Sequence, residues 1–434
     1  MINLAYNRGI GSSPRKVDAL DKVTGKIKFP GDLSAKGMLY GKLLYSPVAH
    51  ARIVALDTEQ ARRVPGVRAV LTAADVPGHN GHGVVIPHQP VLALEVVRSV
   101  NDVIAAVAAD TLTAAEEALR QIKVELVPLP AVFDPLAAME PGAPQVHPEG
   151  NIAYHLKIRK GDIEEGFAQA TVVVEDTYRT QMVDHAFLQP EAVLAEFNHE
   201  GHLVLQVATQ YPHWDRTELS RALNLPEERI QVITPAVGGA FGGREDMTLQ
   251  IQAGLLALKT RCPVKMVCSR EESFLAHSKR HPMVMRYKTG ADREGRLTAV
   301  EAKIVGDTGA YASWGPNVLR KAAVHATGPY LVPNVKIDVY AVYTNNPFAG
   351  AMRGFGATQP AVAYEAQMDR IAEKLGLHPF AVRWRNAFTE GSVTATGQVL
   401  ETSVGLRQTM TEAAHRMGWD IEKICNRFLT EKLR

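Results

Sequence analysis

The chain has 434 residues, of which 46% are apolar and 22% charged, and its net charge is +2. These values are ordinary for a folded protein large enough for two or three domains, so they exclude an intrinsically disordered chain. The small net charge also argues against a protein that binds nucleic acid or a membrane surface, because such partners require a concentrated basic excess.

The first predicted unit, residues 15–128, alternates strands with short helices. Its strands are predicted at residues 38–45, 103–108 and 122–127, and its clearest helix at residues 113–121. Closely spaced prolines then interrupt both helix and strand, so residues 129–150 are predicted to form a linker.

The second predicted unit, residues 151–390, has longer strands with helices between them. Its clearest strands are predicted at residues 171–175 and 202–207. A helix is predicted over residues 359–375, ended by Gly376. The apolar face of that helix is assigned to four side chains: Val362, Ala366, Ile371 and Leu375. Residues 391–434 are predicted to form a C-terminal helical tail.

The cysteines and the amino terminus limit the location and the metal chemistry of the chain. Cys262, Cys268 and Cys425 are too few for a disulfide framework and one short of the thiolates that an iron–sulfur cluster needs. Such a cluster is therefore expected only on another chain. Residues 1–6 lack the pattern of a signal peptide, and no apolar run approaches the length of a membrane span, so a cytoplasmic protein is predicted.

Two glycine-rich runs are the most informative feature of the sequence. Residues 237–245 read VGGAFGGRE, and residues 352–359 read MRGFGATQ. Glycine lets backbone amides approach a bulky ligand without intervening side chains. For one isolated run, a tight turn is the preferred alternative, but two such runs in one chain predict a single large anionic cofactor.

Neither run fits the common nucleotide motifs. A phosphate-binding loop needs lysine followed by serine or threonine after its last glycine, whereas Gly243 is followed by Arg244. The second run matches the dinucleotide fingerprint at Gly354 and Gly356 but has Gln359 at the third glycine position. The interpretation as a nicotinamide-dependent dehydrogenase therefore rests on this imperfect fingerprint alone.

Two further patterns favour structural roles. His277 and His281 have the spacing of a zinc-binding helix, but Ser278 occupies the position of the catalytic glutamate and a proline follows at once. Cys262 and Cys268 flank an alternating strand and are expected to be core residues.

Together with three other runs, the glycine motifs resemble a known family. These runs are YSPVAHARI at residues 45–53, DHAFLQPE at residues 184–191 and GDTGAY at residues 306–311. Their combination and order resemble the molybdenum hydroxylases, the xanthine dehydrogenase and aldehyde oxidase family. The resemblance implies an α+β fold in which an α/β hammerhead domain precedes the first half of a molybdopterin-binding domain.

The resemblance covers only about the first half of an undivided molybdenum subunit. Residues 343–347 and 395–401 further resemble the nicotinate-hydroxylating members of the family, in which that subunit is divided. An N-heteroaromatic substrate such as nicotinate is therefore expected, with a purine such as xanthine or an aldehyde as the alternative. A non-catalytic assembly subunit that retains the fold is a third interpretation.

The resemblance also implies a cofactor and partner chains. The cofactor is molybdenum–molybdopterin, in the cytosine dinucleotide form, and its chemistry inserts water-derived oxygen into the substrate. A second molybdopterin subunit would carry the C-terminal half and the catalytic glutamate. Separate subunits would carry the 2Fe-2S clusters and FAD.

By motif match, the resemblance assigns site roles within this chain. Gln210 is expected to hydrogen-bond an oxygen ligand of molybdenum, although an ordinary polar residue at a strand end is the alternative. Phe355 is expected to form an aromatic wall for the substrate, with a core phenylalanine as the alternative. The metal is expected near Gln210, Phe241 and Arg353. The residues expected to contact the pterin or its phosphate are Gly239, Ala240, Phe241, Gly242, Arg353 and Gly354.

Two positions depart from the family pattern. Gln189 stands where relatives commonly have a glutamate, which weakens a xanthine-type interpretation. Glu191 either replaces that carboxylate or faces solvent. Lys321 stands where several relatives have an arginine, and Arg320 is the alternative after a one-residue shift. Either cation could pair with a substrate carboxylate or be a solvated surface charge.

Overall fold

The computed structural model describes residues 11–426. The amino-terminal residues 1–10 and the basic end at residues 427–434 lie outside this range, so the expectation of a missing signal peptide falls on residues that are not described. Within the described chain, no helix combines the length and the hydropathy that a membrane crossing requires.

The described strands are, in chain order, β1 (Leu39–Tyr45), β2 (Ala51–Asp57), β3 (Val67–Leu71), β4 (Val96–Val97), β5 (Val103–Ala109), β6 (Lys123–Pro128), β7 (Ile152–Lys160), β8 (Val172–Arg179), β9 (Ala192–Phe197), β10 (Leu203–Val207), β11 (Ile230–Ile233), β12 (Val264–Val267), β13 (Met283–Ala291), β14 (Leu297–Gly309) and β15 (Asn334–Tyr343). The described helices are α1 (Ala19–Val23), α2 (Glu59–Arg63), α3 (Leu112–Gln121), α4 (Ile163–Ala168), α5 (Pro212–Leu223), α6 (Gln250–Thr260), α7 (Arg270–Ala276), α8 (Gly315–Val324), α9 (Thr358–Leu375), α10 (Pro379–Asn386), α11 (Leu406–Arg416) and α12 (Ile421–Asn426).

The largest sheet combines strands from both predicted units. Its order is β11-β10-β9-β12-β1-β5-β3, with β1 parallel to β12 and β10 parallel to β11. All seven residues of β5 are buried, as expected for a central strand covered on both faces. Helices α5 and α6 contribute Leu219, Leu223, Ile251 and Leu255 to the core of this sheet. The two predicted units therefore share one hydrophobic core, while the predicted domain boundaries stay a prediction.

A second sheet has the order β7-β15-β14-β13-β8, in which β14 and β15 are parallel. Helices α8 and α9 pack on it through buried apolar side chains, including Leu319, Ala322 and Ile371. The remaining small sheet, β4-β2-β6, belongs to the first predicted unit. This mixture of helices with parallel and antiparallel strands confirms the expected α+β class.

The boundaries of the long elements agree well with the sequence, but one predicted face is wrong. Helix α9 spans the predicted residues within one position, and Gly376 ends it with a left-handed φ of 64°. Val362, however, is 52% exposed. The buried face instead includes Gln367, whose side-chain amide donates to the Tyr178 hydroxyl at 2.8 Å. A hydrogen-bonded glutamine can be buried, so hydropathy alone misplaces the face.

The proline-rich segment at residues 129–150 packs against the second unit. Val132 and Val146 are buried in a cluster with Phe348. Asn345 fixes the segment, because its backbone amide donates to the Val132 carbonyl at 2.8 Å and its side-chain oxygen accepts from the Val132 amide at 3.0 Å. Regular structure in this segment is thus limited to one short 3-10 helix, Ala137–Met139, but the prolines do not prevent burial.

A buried side-chain pair joins the two predicted units. The Tyr311 hydroxyl donates to the Asp102 carboxylate, with oxygen–oxygen distances of 2.8 and 2.9 Å. Both residues are almost fully buried. Burial raises the pKa of Asp102 to about 6, while bonds from the Arg98 amide and the Tyr311 hydroxyl oppose that rise. The charged form of the Asp102 carboxylate is therefore stabilised by each of these hydrogen bonds.

We predict that Tyr311→Phe lowers the free energy of unfolding by about 1–3 kcal/mol, because it removes a donor from a buried carboxylate. Tyr340→Phe is the control, since the Tyr340 ring is half-buried and stacks on His155. Chemical denaturation of the full chain measures both variants. Equal losses in the two variants would contradict the assigned role of the Tyr311 hydroxyl.

Candidate active site

Parallel strand pairs in two different sheets bring the predicted site residues to one region. Gln210 follows β10, and the first glycine run follows the neighbouring parallel strand β11. The second glycine run follows β15, and the run at residues 306–311 overlaps the end of its parallel neighbour β14. Because parallel strands end at the same edge of a sheet, each sheet gathers two of these loops.

The two glycine loops contact each other through main-chain atoms. The Arg353 amide donates to the Phe241 carbonyl at 2.8 Å. A side chain at Gly242 would place Cβ 2.7 Å from the Ala351 carbonyl oxygen, and Gly242 has a φ of 102°. Both the backbone conformation and the close approach therefore require glycine at this position.

Each glycine loop holds a phenylalanine in the left-handed region, with φ of 54° at Phe241 and 48° at Phe355. Phe241 is 50% exposed, whereas Phe355 is half-buried. The Phe355 ring meets Trp314 edge-on at 5.7 Å, and Trp314 lies 5.9 Å from the Tyr211 ring. The Phe355 and Trp314 rings thus connect the second glycine loop to Tyr211, the residue after Gln210. Phe355 also packs against the core of the second sheet, and its role as an aromatic wall for the substrate stays a prediction.

Gln210 is held in one orientation by the first glycine loop. Its side-chain oxygen accepts from the amides of Gly242 at 3.0 Å and Arg244 at 3.4 Å. Since both partners are donors, the oxygen must face them, and the Nε2 group is the end that remains to donate. The Gly242 amide is thereby committed to Gln210. In the described chain, the amides of Gly239, Ala240 and Phe241 donate to no other residue.

Gln189 lies beside the start of the same loop. Its side-chain oxygen accepts from the Gly238 amide at 2.6 Å. Its Nε2 atom is buried without a partner in the described chain. A surface cavity of about 400 Å³ adjoins this position and is lined in part by Phe29, Leu188 and Val267. Gln189 therefore presents a hydrogen-bond donor where a glutamate at this position would present an acceptor.

A buried charge network that the sequence did not reveal lies beneath the Gln189 segment. His277 lies between two carboxylates, 3.1 Å from Asp184 and 2.9 Å from Glu191, and Lys279 lies 3.1 Å from Asp184. His277 and Glu191 are almost fully buried. Glu191 therefore does not face solvent, and its carboxylate is ion-paired with His277.

The protonation states of this network follow from its geometry. Burial favours neutral forms, lowering the pKa of His277 and raising that of Asp184 and Glu191. The hydrogen bond between His277 and Asp184 and the ion pair between His277 and Glu191 outweigh burial, so the pKa of His277 is raised and the pKa values of Asp184 and Glu191 are lowered. The two carboxylates therefore favour the protonated, imidazolium form of His277.

The predicted cations lie at the edge of the second loop. Arg353 is exposed, and its carbonyl accepts from Arg280 at 2.8 Å. Arg320 and Lys321 are exposed on α8. This helix lies close against the second loop, since a Cβ added at Gly356 would be only 2.0 Å from the Val318 carbonyl oxygen. Lys321 thus shares a helix with residues that pack on the site, and its role stays a prediction.

No group of three or more possible metal ligands occurs among residues 11–426. His277 is paired with carboxylates at the end of α7, and burial lowers the pKa of His281 to about 3. The zinc interpretation of these histidines is therefore not supported. Cys268 is buried in the core and Cys262 packs against it, as expected.

Comparisons with known proteins agree with this geometry. Residues 24–130 match the a/b hammerhead domain of aldehyde oxidase and xanthine dehydrogenase, and residues 146–387 match a molybdopterin cofactor-binding domain. The chain is 46% identical to the nicotinate dehydrogenase large molybdopterin subunit of Eubacterium barkeri, over 94% of this chain and 96% of that protein. This chain belongs to the xanthine dehydrogenase and aldehyde oxidase family. It is thus a member of a family of molybdenum-dependent oxidoreductases that act within multi-subunit complexes.

Other members of the family are longer than this chain. A probable xanthine dehydrogenase component from Bacillus subtilis is 44% identical, over 85% of this chain and 50% of that protein. Quinoline 2-oxidoreductase from Pseudomonas putida 86 superposes with a TM-score of 0.88 at 30% identity, over 94% of this chain and 54% of that one. These comparisons confirm the expected hammerhead domain followed by a molybdopterin-binding domain.

The described residues fit a molybdopterin cofactor. Uncommitted amides at residues 239–241 and the Nε2 donor of Gln210 suit anionic or oxo groups. Arg353 adds an exposed guanidinium at the second loop. A Cβ at Gly239, Gly242 or Gly354 would lie 2.8, 2.7 or 2.4 Å from other atoms of the chain, so glycine lets these loops pack closely. When bound, the cofactor supplies the two-electron redox chemistry of this family.

We predict that Gly242→Ala destabilises the chain more than Gly391→Ala does. Gly391 is also left-handed, with a φ of 81°, but a Cβ there would meet nothing within 4 Å. Both variants incur the left-handed conformational penalty of about 1–2 kcal/mol. Gly242→Ala adds about 1–3 kcal/mol of overpacking against the second loop. Chemical denaturation compares them, and equal losses would contradict the loop contact.

We also predict that His277→Gln lowers the free energy of unfolding by about 3–5 kcal/mol, because it leaves the buried Glu191 carboxylate without its cation, while Asp184 keeps Lys279. The raised pKa of His277 gives stabilisation that is complete below pH 6.5 and is lost as pH rises through the folded pKa. The lowered pKa values of Asp184 and Glu191 give stabilisation that is lost in acid instead. Unfolding measured from pH 6 to 9 should therefore show a decline that is absent in the variant. The same decline in both proteins would refute the imidazolium.

Proposed function

We propose that this chain is the molybdopterin-binding subunit of a hydroxylase that inserts water-derived oxygen into an N-heteroaromatic such as nicotinate. The observation that carries the proposal is the main-chain contact between Phe241 and Arg353, which makes one cradle of the two glycine loops. The near-complete coverage of the nicotinate dehydrogenase large molybdopterin subunit supports the substrate class. The name of quinoline 2-oxidoreductase indicates another N-heteroaromatic in the family.

The residues of the cradle have distinct proposed roles. Gln210 donates from Nε2 to an oxygen ligand of molybdenum, because its own oxygen is fixed by two amides. The amides of residues 239–241 contact the centre and the pterin. Arg353 and the adjoining amide of Gly354 bind the pterin or its phosphate. These donors are already oriented, so they need not reorganise when negative charge develops in the transition state. Such preorganisation is the usual source of electrostatic catalysis.

The substrate side of the site is proposed to combine an aromatic wall, a neutral amide and a cation. Phe355 provides the wall, and stacking contributes about 0.5–1.5 kcal/mol, which orients a flat substrate. Gln189 offers its buried Nε2 donor. Lys321, or Arg320 beside it, pairs with a substrate carboxylate. A glutamine in place of the glutamate common in relatives makes xanthine the weaker alternative.

The remainder of the active site is proposed to lie on other chains. The chain spans about half of several relatives, so a second molybdopterin subunit would supply the remaining half and the catalytic glutamate. Subunits carrying 2Fe-2S clusters and FAD would accept the electrons. The cofactor is proposed to be the cytosine dinucleotide form of molybdopterin.

The proposal is tested by purifying the complex through a tag on this chain. Molybdenum and pterin dinucleotide should be present, and nicotinate should reduce the complex faster than xanthine or an aldehyde does. Absence of both molybdenum and pterin would refute the proposal and leave the assembly role. Binding of a nicotinamide dinucleotide without metal would support the dehydrogenase instead. Preferential reduction by xanthine or an aldehyde would transfer the substrate assignment to that class.

We predict that Gln210→Glu lowers kcat about 10²–10³-fold, the range for loss of one preorganised donor, while molybdenum content stays unchanged. One carboxylate oxygen can still accept from the loop amides, but the other presents an acceptor where a donor is required. Gln169→Glu, on the exposed end of α4, is the matched control. Steady-state kinetics and metal analysis of the complex provide the measurement. Wild-type kcat in Gln210→Glu would remove this residue from the mechanism.

A further inference from the structure

Arg244 links three of the proposed site residues, although neither glycine motif assigns it a role. It is 4% exposed and lies directly after Gly243 in the first loop. Its backbone and its side chain both make hydrogen bonds to the site. These contacts carry an inference that rests on the proposed function and concerns how the site is kept in shape.

The backbone of Arg244 holds Gln210 from both directions. The Arg244 carbonyl accepts from the Gln210 amide at 2.9 Å, and the Arg244 amide donates to the Gln210 side-chain oxygen at 3.4 Å. The Thr209 hydroxyl also donates to the Arg244 carbonyl at 3.5 Å. The position of the Gln210 donor therefore depends on where Arg244 lies.

The side chain of Arg244 joins two segments that are distant in sequence. Its Nε donates to the Gly239 carbonyl at 2.9 Å, and its Nη2 donates to the Gln189 carbonyl at 2.5 Å. The guanidinium carbon lies 4.1 Å from the centre of the Phe187 ring, as in a cation–π contact. A planar fork can serve both carbonyls at once, which a lysine ammonium with one point charge does poorly.

The buried charge of Arg244 is compensated locally. Burial lowers the pKa of Arg244, and the Glu191 carboxylate opposes that change. Glu191 in turn forms an ion pair with His277, so the charge of the Arg244 guanidinium is coupled to the buried charge network. A guanidinium stays charged in proteins, and both of its carbonyl partners can therefore be held by charge-assisted bonds.

We propose that Arg244 is a positioning residue, which sets the Nε2 donor of Gln210, the peptide plane that carries the Gly239 carbonyl and the Ala240 amide, and Gln189 in fixed register around the cofactor. It acts through these groups and does not itself contact the reacting atoms. The conservative variant Arg244→Lys keeps the charge and removes the fork. Arg383→Lys is the matched control, because the Arg383 guanidinium also bridges two groups, Glu365 and Asp369, which both lie on α9.

The experiment compares Arg244→Lys with Arg383→Lys in the complex purified through this chain. Three measurements are made: thermal unfolding, kcat and KM with nicotinate, and the Mo(V) electron paramagnetic resonance spectrum after partial reduction. Arg244→Lys is expected to lower kcat at least tenfold with less than threefold change in KM, and to shift or broaden the Mo(V) signal. Arg383→Lys is expected to lower the unfolding temperature but to keep the wild-type kcat and signal.

A second variant covers the case in which Arg244→Lys fails to fold. Phe187→Leu removes the ring beneath the guanidinium but none of its hydrogen-bond partners, and it should change the Mo(V) signal in the same direction by a smaller amount. In a double-mutant cycle with Gln210→Glu, the losses in kcat should be less than additive, because both changes act on one donor.

The outcomes separate this inference from the proposed function. A wild-type Mo(V) signal and kcat in Arg244→Lys, or in Phe187→Leu if only that variant folds, would overturn the positioning role and leave the function intact. Fully additive losses in the cycle would also overturn it. A wild-type complex without molybdenum would overturn the proposed function and this inference together.

Discussion

The hydrogen bond from the Arg353 amide to the Phe241 carbonyl is the contact on which the rest of the site depends. It joins loops that follow strands of two different sheets, so the two halves of the fold meet at the cradle itself. Gly242 permits this contact, since any side chain there would meet the second loop. The cradle therefore consists mainly of backbone, which suits a ligand recognised by its oxygens and charge.

Holding the loops in this form requires strained backbone and buried charge. Phe241 and Phe355 each occupy the left-handed region, at about 1–2 kcal/mol per residue, and such strain persists only where the surroundings determine the conformation. The Arg244 fork holds the first loop at the Gly239 carbonyl, and His277 pairs with Glu191 close to the Gln189 segment. Buried ion pairs add little net stability, so their contribution here is to fix geometry.

Much of the fold follows from local sequence. Strand β5 and helix α9 are predictable almost to the residue, because an unbroken apolar run and a glycine stop act locally. The glycine runs predict a cofactor cradle, and the family resemblance predicts Gln210. The contact between the loops could not be predicted, since it depends on how two sheets pack. The pairing of His277 with Asp184, 93 residues away, is invisible in the sequence for the same reason.

The most direct test is anomalous X-ray scattering at the molybdenum edge from crystals of the complex that contains this chain. A single strong anomalous peak is expected beside the Gln210 side-chain amide, between the loops of Phe241 and Phe355. A peak elsewhere on the chain, or none in a complex that contains molybdenum on another subunit, would contradict it.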